Sequence, residues 1–234
     1  MLILLLAMAG TNALHATEAP PAFRAEYVVK KGPMLLGRSV RQLEHGADGQ
    51  LVFQSSSDTT GLANLLLNEH IRETSHLRLN GAHVLPQAYE YRRDGKRTRR
   101  VSQQYDWQQD SVTSTLDERV YHFEIPAVTY DPSGYQVSLM IDLAGGARDM
   151  DYSIASSKGL RTWDIRHVGD ETVKTPLGTL DTVVIQRKTD QVTTMWCAPK
   201  LHYLPVKIVH EEDGVAFTAT LESLSGPLAK ASGY

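Results

Sequence analysis

What most constrains this chain is the rhythm of its turns. Turn-forming residues recur at Gly32-Pro33, 46–49, Asn80-Gly81, Asp94-Gly95, Lys158-Gly159, 176–178 and Asp213-Gly214, and the stretches between them contain β-branched and aromatic residues. Within these stretches the apolar positions alternate. Phe23, Ala25, Tyr27 and Val29 fall on one face of an extended chain, and Arg24, Glu26, Val28 and Lys30 fall on the other. Alternation broken by turns specifies antiparallel neighbours. We therefore expect a mainly β fold of roughly ten to twelve strands, a curled antiparallel sheet or open β-barrel. Asn80-Gly81 and Asp94-Gly95 are the strongest hairpin signals, because both central residues of a type I′ turn need positive φ.

Two segments depart from the strand rhythm and predict short helices. Residues 59–68 offer Thr59 or Thr60 as an N-cap, followed by Leu62, Ala63, Leu65, Leu66 and Leu67, apolar on nearly every side. Residues 131–145 place Asp131 as N-cap, Pro132 at the first helical position and Gly145 at the stop, with Tyr135, Leu139 and Leu143 on one stripe. A sheet this large curls around more space than its own side chains fill, and an apolar helix inside or at the mouth is one way to occupy it. Leu62, Leu65, Leu66, Tyr135 and Leu139 are thus candidates to line an apolar cavity. Core packing by the same residues is the competing reading.

Composition narrows the function classes. With 24 Lys+Arg against 27 Asp+Glu the net charge is −3, so the basic excess of a nucleic-acid binder is missing; 41% hydrophobic residues fit neither an integral membrane protein nor a disordered chain. No linker or repeat divides residues 17–234, which are read as one β-rich domain. The apolar run 1–10 is half the length of a membrane-spanning helix, and small residues follow it. Residues 1–16 therefore resemble the core and cleavage region of a secretory signal. No Lys or Arg precedes Leu2, so a start further upstream is expected. The reading is an exported protein without a transmembrane segment, periplasmic in a Gram-negative host.

The single cysteine, Cys197, allows neither an internal disulfide nor a thiolate zinc cluster, and alternation puts Met195 and Cys197 on one strand face with Trp196 and Ala198 on the other. A buried structural thiol is expected. Trp196 and Tyr203 are the large anchors of this region, either as core or as a stacking surface for a ring-shaped ligand. The nine His residues are scattered without metal-ligand spacing, and no serine-nucleophile elbow or phosphate-binding glycine loop occurs. The acidic pairs Asp149/Asp151 and Glu211/Glu212 read as solvated strand and turn ends. No metal, cofactor or catalytic residue is assigned from sequence.

The most unusual local feature is the basic run 92–100. A two-residue Asp94-Gly95 turn would set Arg93 opposite Lys96 and Arg92 opposite Arg97, and facing like charges destabilise a sheet. Such a tip is either well hydrated or meets an anion. Arg92, Arg93, Lys96 and Arg97 are the candidate anion-binding residues, for a phospholipid head group, a lipopolysaccharide phosphate or an acidic glycan.

The C-terminal half carries a recognisable stretch, Lys174-Thr175-Pro176-Leu177-Gly178-Thr179-Leu180-Asp181-Thr182-Val183, then Met195-Trp196-Cys197-Ala198-Pro199-Lys200-Leu201-His202-Tyr203-Leu204-Pro205-Val206-Lys207-Ile208. With Phe23-Arg24-Ala25-Glu26-Tyr27 and the segment from Ser55 to Leu62, it resembles the exported bacterial family called domain of unknown function 3108, over about residues 22–225. The resemblance implies export and no specific chemistry. By fold analogy it points to open β-barrels with a helical lid, as in periplasmic lipoprotein carriers. The expected function is a non-enzymatic binding or carrier module for an apolar or amphiphilic envelope molecule such as a lipid. An envelope assembly scaffold is the alternative, and an enzyme acting on envelope glycan or lipid ranks third.

Overall fold

A computed structural model describes residues 18–234 except 62, 63, 65–67, 82 and 190. The leader reading and Leu62, Leu65 and Leu66 therefore lie outside the described residues. Among the described residues fourteen strands form one antiparallel sheet. The first seven are β1 (Phe23–Lys31), β2 (Met34–His45), β3 (Gln50–Thr59), β4 (His70–Asn80), β5 (His83–Asp94), β6 (Arg99–Asp106) and β7 (Ser111–Leu116). The second seven are β8 (Arg119–Glu124), β9 (Met150–Ser156), β10 (Gly159–Thr175), β11 (Gly178–Lys188), β12 (Val192–Ala198), β13 (Leu204–Glu212) and β14 (Val215–Ser225). The short helices α1 (Tyr135–Ala144) and α2 (Pro227–Ala231) accompany the sheet among the described residues.

Consecutive strands pair except β8 and β9, and β1 pairs with β14, so the order runs β8 to β1 and then β14 to β9. The sheet curls almost into a barrel and is interrupted at one place. β8 and β9 follow each other in the chain, but they do not pair. The connection between them carries α1 instead. Side chains cross this seam where a ladder would have closed it. Gln103 Nε2 donates to the carbonyls of Ala155 and Ser156, both at 2.9 Å, and Ser114 Oγ donates to the Ser157 carbonyl at 3.1 Å. Tyr130 supplies a single parallel bridge to Ile154 on the outer edge of β9.

The α1 segment is apolar on most sides, and such a helix is stable only when covered. Val137, Met140 and Ile141 pack into a cluster with Phe23, Tyr27, Leu43 and Phe53 of β1 to β3. Tyr135, Leu139 and Leu143 pack with Ile154, Ile165, Ile185 and Met195 of β9 to β12. The helix thus fills the space between the two arms of the curled sheet. Its lead-in is fixed by Asp131, whose Oδ1 accepts the backbone N–H groups of Ser133 and Gly134 at 2.8 and 2.6 Å. Asp131 therefore caps a turn preceding the helix proper, which begins at Tyr135 rather than next to the aspartate. At residues 59–68 the described Gly61 and Asn64 are helical, and Thr59 instead ends β3.

One expected turn differs. Asp94 remains in β5, in register with His70, and Arg93 faces Arg99 while Arg92 faces Arg100. The loop is longer than two residues because the Asp94 carboxylate bridges Arg92 (2.6 Å) and Arg100 (2.5 Å), which holds both strands together past the expected turn. Like-charged residues still face each other, but the partners lie three positions further along, Arg99 instead of Lys96 and Arg100 instead of Arg97.

Candidate functional site

The register of β1 to β7 lines up inward-facing residues in rows. Phe23, Leu43, Phe53, Ser75, Tyr89, Gln103 and Ser114 form one row across seven strands. Two residues further along each strand the row reads Ala25, Arg41, Ser55, Glu73, Tyr91, Val101 and Leu116, and the next begins Tyr27, Ser39, Ser57, Ile71, Arg93 and Arg99. Large apolar residues thus give way to serines and then to arginines towards the rim that carries the β5–β6 loop. Short side chains on the inner face of a wide sheet leave space unfilled.

That space is an open cleft of about 890 Å³ at the seam. One wall comes from β4 to β7 with Glu73, Tyr89, Tyr91, Arg93, Arg99, Val101 and Leu116. The other comes from β9 to β11 and their turns, with Ser156, Lys158, Arg161, Trp163, Arg187 and Gln191. The volume lies in the range of sites for small organic ligands.

Charge in the cleft is one-sided. Among the described residues Arg93, Arg97, Arg99, Lys158, Arg161 and Arg187 line it against Glu73 and Asp117, in a chain whose net charge is −3. Arg93 is neutralised by Glu69 at 2.6 Å, which holds the Glu69 carboxyl below its usual range. Arg97, Arg99, Lys158 and Arg187 have no carboxylate within ion-pair distance among the described residues. The Arg99 guanidinium donates to Ser157 Oγ at 3.0 Å and lies 5.9 Å from the Tyr91 ring centre.

Arg187 is the most built of these cations. Its guanidinium stacks 4.1 Å from the centre of Trp163, Nη1 donates to the Tyr135 hydroxyl at 3.3 Å and Nη2 donates to Thr193 Oγ1 at 3.1 Å. Its buried Nε has no hydrogen-bond partner among the described residues. Trp163 meets Tyr135 edge-on at 4.8 Å. An aromatic face can hold a cation in place and leave its charge unneutralised.

Two carboxyls here are protonatable, Glu73 in the cleft lining and Asp131 buried outside it. Glu73 keeps partial exposure, yet it lies deep enough that burial raises its carboxyl to about 7, against the opposing hydrogen bond from the Tyr89 hydroxyl at 2.7 Å. Fully buried Asp131 is raised to about 6 by burial, although Ser75 Oγ donates to it at 2.7 Å.

The residues singled out from sequence are distributed as follows. Arg93 and Arg97 line the cleft. Arg92 points to Asp94, and Lys96 is not among the lining residues. Tyr135 stands behind the cleft wall through Arg187 and Trp163, with Leu139 in the core below it. Tyr203 is partly buried against that same core, in the connection between β12 and β13 at the opposite rim. Trp196 lies on the other face of β12, its indole N–H donating to Glu171 at 2.8 Å with Lys207 4.0 Å from its ring. Cys197 is fully buried, and burial pushes its thiol up to about 12. Tyr89, Tyr91, Arg99, Lys158, Trp163 and Arg187 were not legible as a site, since strands far apart in the chain bring them together.

Set beside known proteins, the chain matches the pattern of the family described as protein of unknown function DUF3108 over residues 26–222. The chain belongs to this family. The span matched to DUF3108 contains both walls of the cleft. No curated protein matches the chain in sequence. Among solved structures, a β-barrel-like protein of domain of unknown function DUF1849 from Brucella abortus is similar with a TM-score of 0.58 at 9% identity, over 89% of this DUF3108 chain and 98% of that chain. At that identity the likeness establishes a shared β-barrel-like fold. A putative lipoprotein from Parabacteroides distasonis aligns over 90% of this chain and 98% of its own at 9% identity, with a TM-score of 0.38, too low to carry an argument. Among the described residues no helix is long and apolar enough to cross a membrane.

Proposed function

We propose that this protein is a non-enzymatic binding or carrier module of the cell envelope, and that the seam cleft is where it holds an amphiphilic molecule. The observation that carries the reading is the open seam. The sheet is interrupted between β8 and β9, and the resulting space is lined by Tyr89, Tyr91, Trp163, Val101 and Leu116 beneath a polar mouth. Concave sites with mostly apolar or aromatic walls and a few placed polar groups are what small amphiphiles bind. The β-barrel-like fold supports the reading, and the apolar run at residues 1–10 supports export.

Fluorescence titration with a neutral apolar probe, N-phenyl-1-naphthylamine, tests this. The expected result is saturable binding at one site per chain, weakened about tenfold in Tyr91→Asp, which places a carboxylate on the half-buried wall. Absence of saturable binding, or equal binding by the variant, would overturn the cleft as a ligand site.

A further inference from the structure

We infer that the ligand of this cleft is an anionic amphiphile, bound with its charged head at the mouth and its apolar part directed inward. The inference rests on the cleft being the binding site, and it adds the charge and orientation of what is bound.

The cations and the apolar groups are not mixed but layered. Arg99 lies in the row nearest the rim, facing Arg93. Lys158 occupies the two-residue turn between paired Ser156 and Gly159, and Arg187 lies close to the β11–β12 turn. Antiparallel order puts these turns on the same rim as the β5–β6 loop that carries Arg97. Tyr91, Val101 and Leu116 form the next row inward with Glu73 beside Tyr91, and Tyr89 stands in the one after that between Ser75 and Gln103. From Arg99 to Gln103 the wall descends four residues, about 14 Å at the rise of a strand. A ligand matching these layers has a charged end and an apolar end.

The sign of the charged end follows from what the cations lack. Four of the basic residues at the mouth have no carboxylate partner among the described residues, whereas Arg92, Arg93 and Arg100 on the same hairpin are all paired with Asp94 or Glu69. Pairing was therefore available locally, even to Arg93, which faces Arg99 and lines the cleft, and it does not extend to Arg97 or Arg99. Arg187 is held by Trp163, Tyr135 and Thr193, which orient it without cancelling its charge. Guanidinium groups presented in this way favour carboxylate or phosphate oxygens.

Competition against the neutral probe by four ligands sharing a dodecyl chain tests the inference, each kept below its micellar concentration. They carry phosphate, phosphocholine, maltoside and trimethylammonium heads. Dodecyl phosphate should bind at least about tenfold tighter than the maltoside, and the trimethylammonium compound should bind weakest. Arg99→Gln with Lys158→Gln alters two exposed side chains without ion pairs, and it should weaken dodecyl phosphate about tenfold while leaving probe and maltoside within twofold. Equal binding of phosphate and maltoside heads in the wild type would overturn the inference and leave the cleft reading intact. Equal weakening of both in the double variant would also overturn it. Inorganic phosphate competing as well as dodecyl phosphate would replace it with a small-anion site. Failure of the probe itself to bind would instead count against the cleft.

Discussion

The closed wall of the sheet, where β1 meets β14, and the seam, where β8 and β9 stay apart, are built from the same kind of strand and end in opposite states. At the closed wall Phe23, Tyr27, Leu43 and Phe53 are at most 3% exposed and packed against α1. At the seam Tyr91, Leu116, Trp163 and Arg187 are only half-buried, and the cluster of Tyr89, Val101 and Tyr105 is small. The contrast shows how a curled sheet of fourteen strands divides its labour. One helix is enough to fill one side of its interior, and the side left unfilled is the cleft.

The sharpest way to break this comparison is to cut equally large rings from the two regions. Phe53→Ala should lower stability by about 3–5 kcal/mol, because a fully enclosed ring leaves a cavity that the core cannot collapse. Tyr91→Ala, which opens onto solvent already present in the cleft, should cost about 1 kcal/mol or less. Urea unfolding of both variants measures the difference. Equal losses would mean that the seam is as much core as the closed wall.

A smaller effect follows from the two raised carboxyls. In the folded chain Glu73 titrates near 7 against an ordinary value of 4.5, and Asp131 near 6 against 3.8, both raised by burial. Between these values the folded state holds protons that the unfolded state has released, so stability falls as pH rises through that window and levels off above it. The groups acting on Glu73 are Tyr89 on β5, Asp131 before α1 and Arg41 on β2. Stability should drop by about 1–2 kcal/mol between about pH 5 and pH 8, allowing for screening by solvent in the cleft. Glu73→Gln should flatten the upper part of that curve, and an unchanged slope in this variant would place the titration elsewhere.

The smallest effect concerns the basic hairpin. From the sequence, replacing Arg92, Arg93, Lys96 and Arg97 by Gln relieves like-charge repulsion and leaves stability level or slightly higher. With Arg92 paired to Asp94 and Arg93 to Glu69, the same change should instead lower it, by up to about 1 kcal/mol. A melting temperature that rises would show that those pairs contribute nothing.

Much of this was legible in the chain because period-two alternation is local. Opposite faces for Met195–Cys197 and Trp196–Ala198 follow from the backbone of β12 alone, and the two pairs do enter different clusters. The Asp213-Gly214 turn also follows from its residues, with φ values of 50° and 74°. The Asp94-Gly95 turn misled because its carboxylate finds Arg92 and Arg100, a side-chain competition that turn propensity does not contain.

The cleft was legible only in part. Arg93 and Arg97 could be singled out because their charges cluster in sequence. Trp163 and Arg187 gave no such signal, since each sits among ordinary strand residues and meets a wall that lies far away in the chain, between Glu73 and Leu116. The sequence by itself determined the β class, the meander and the α1 helix, because these depend on residues within a few positions of one another. Tertiary structure alone decided where the circle of strands stays open and which cations lack a carboxylate among the described residues, because both depend on how the strands close around α1.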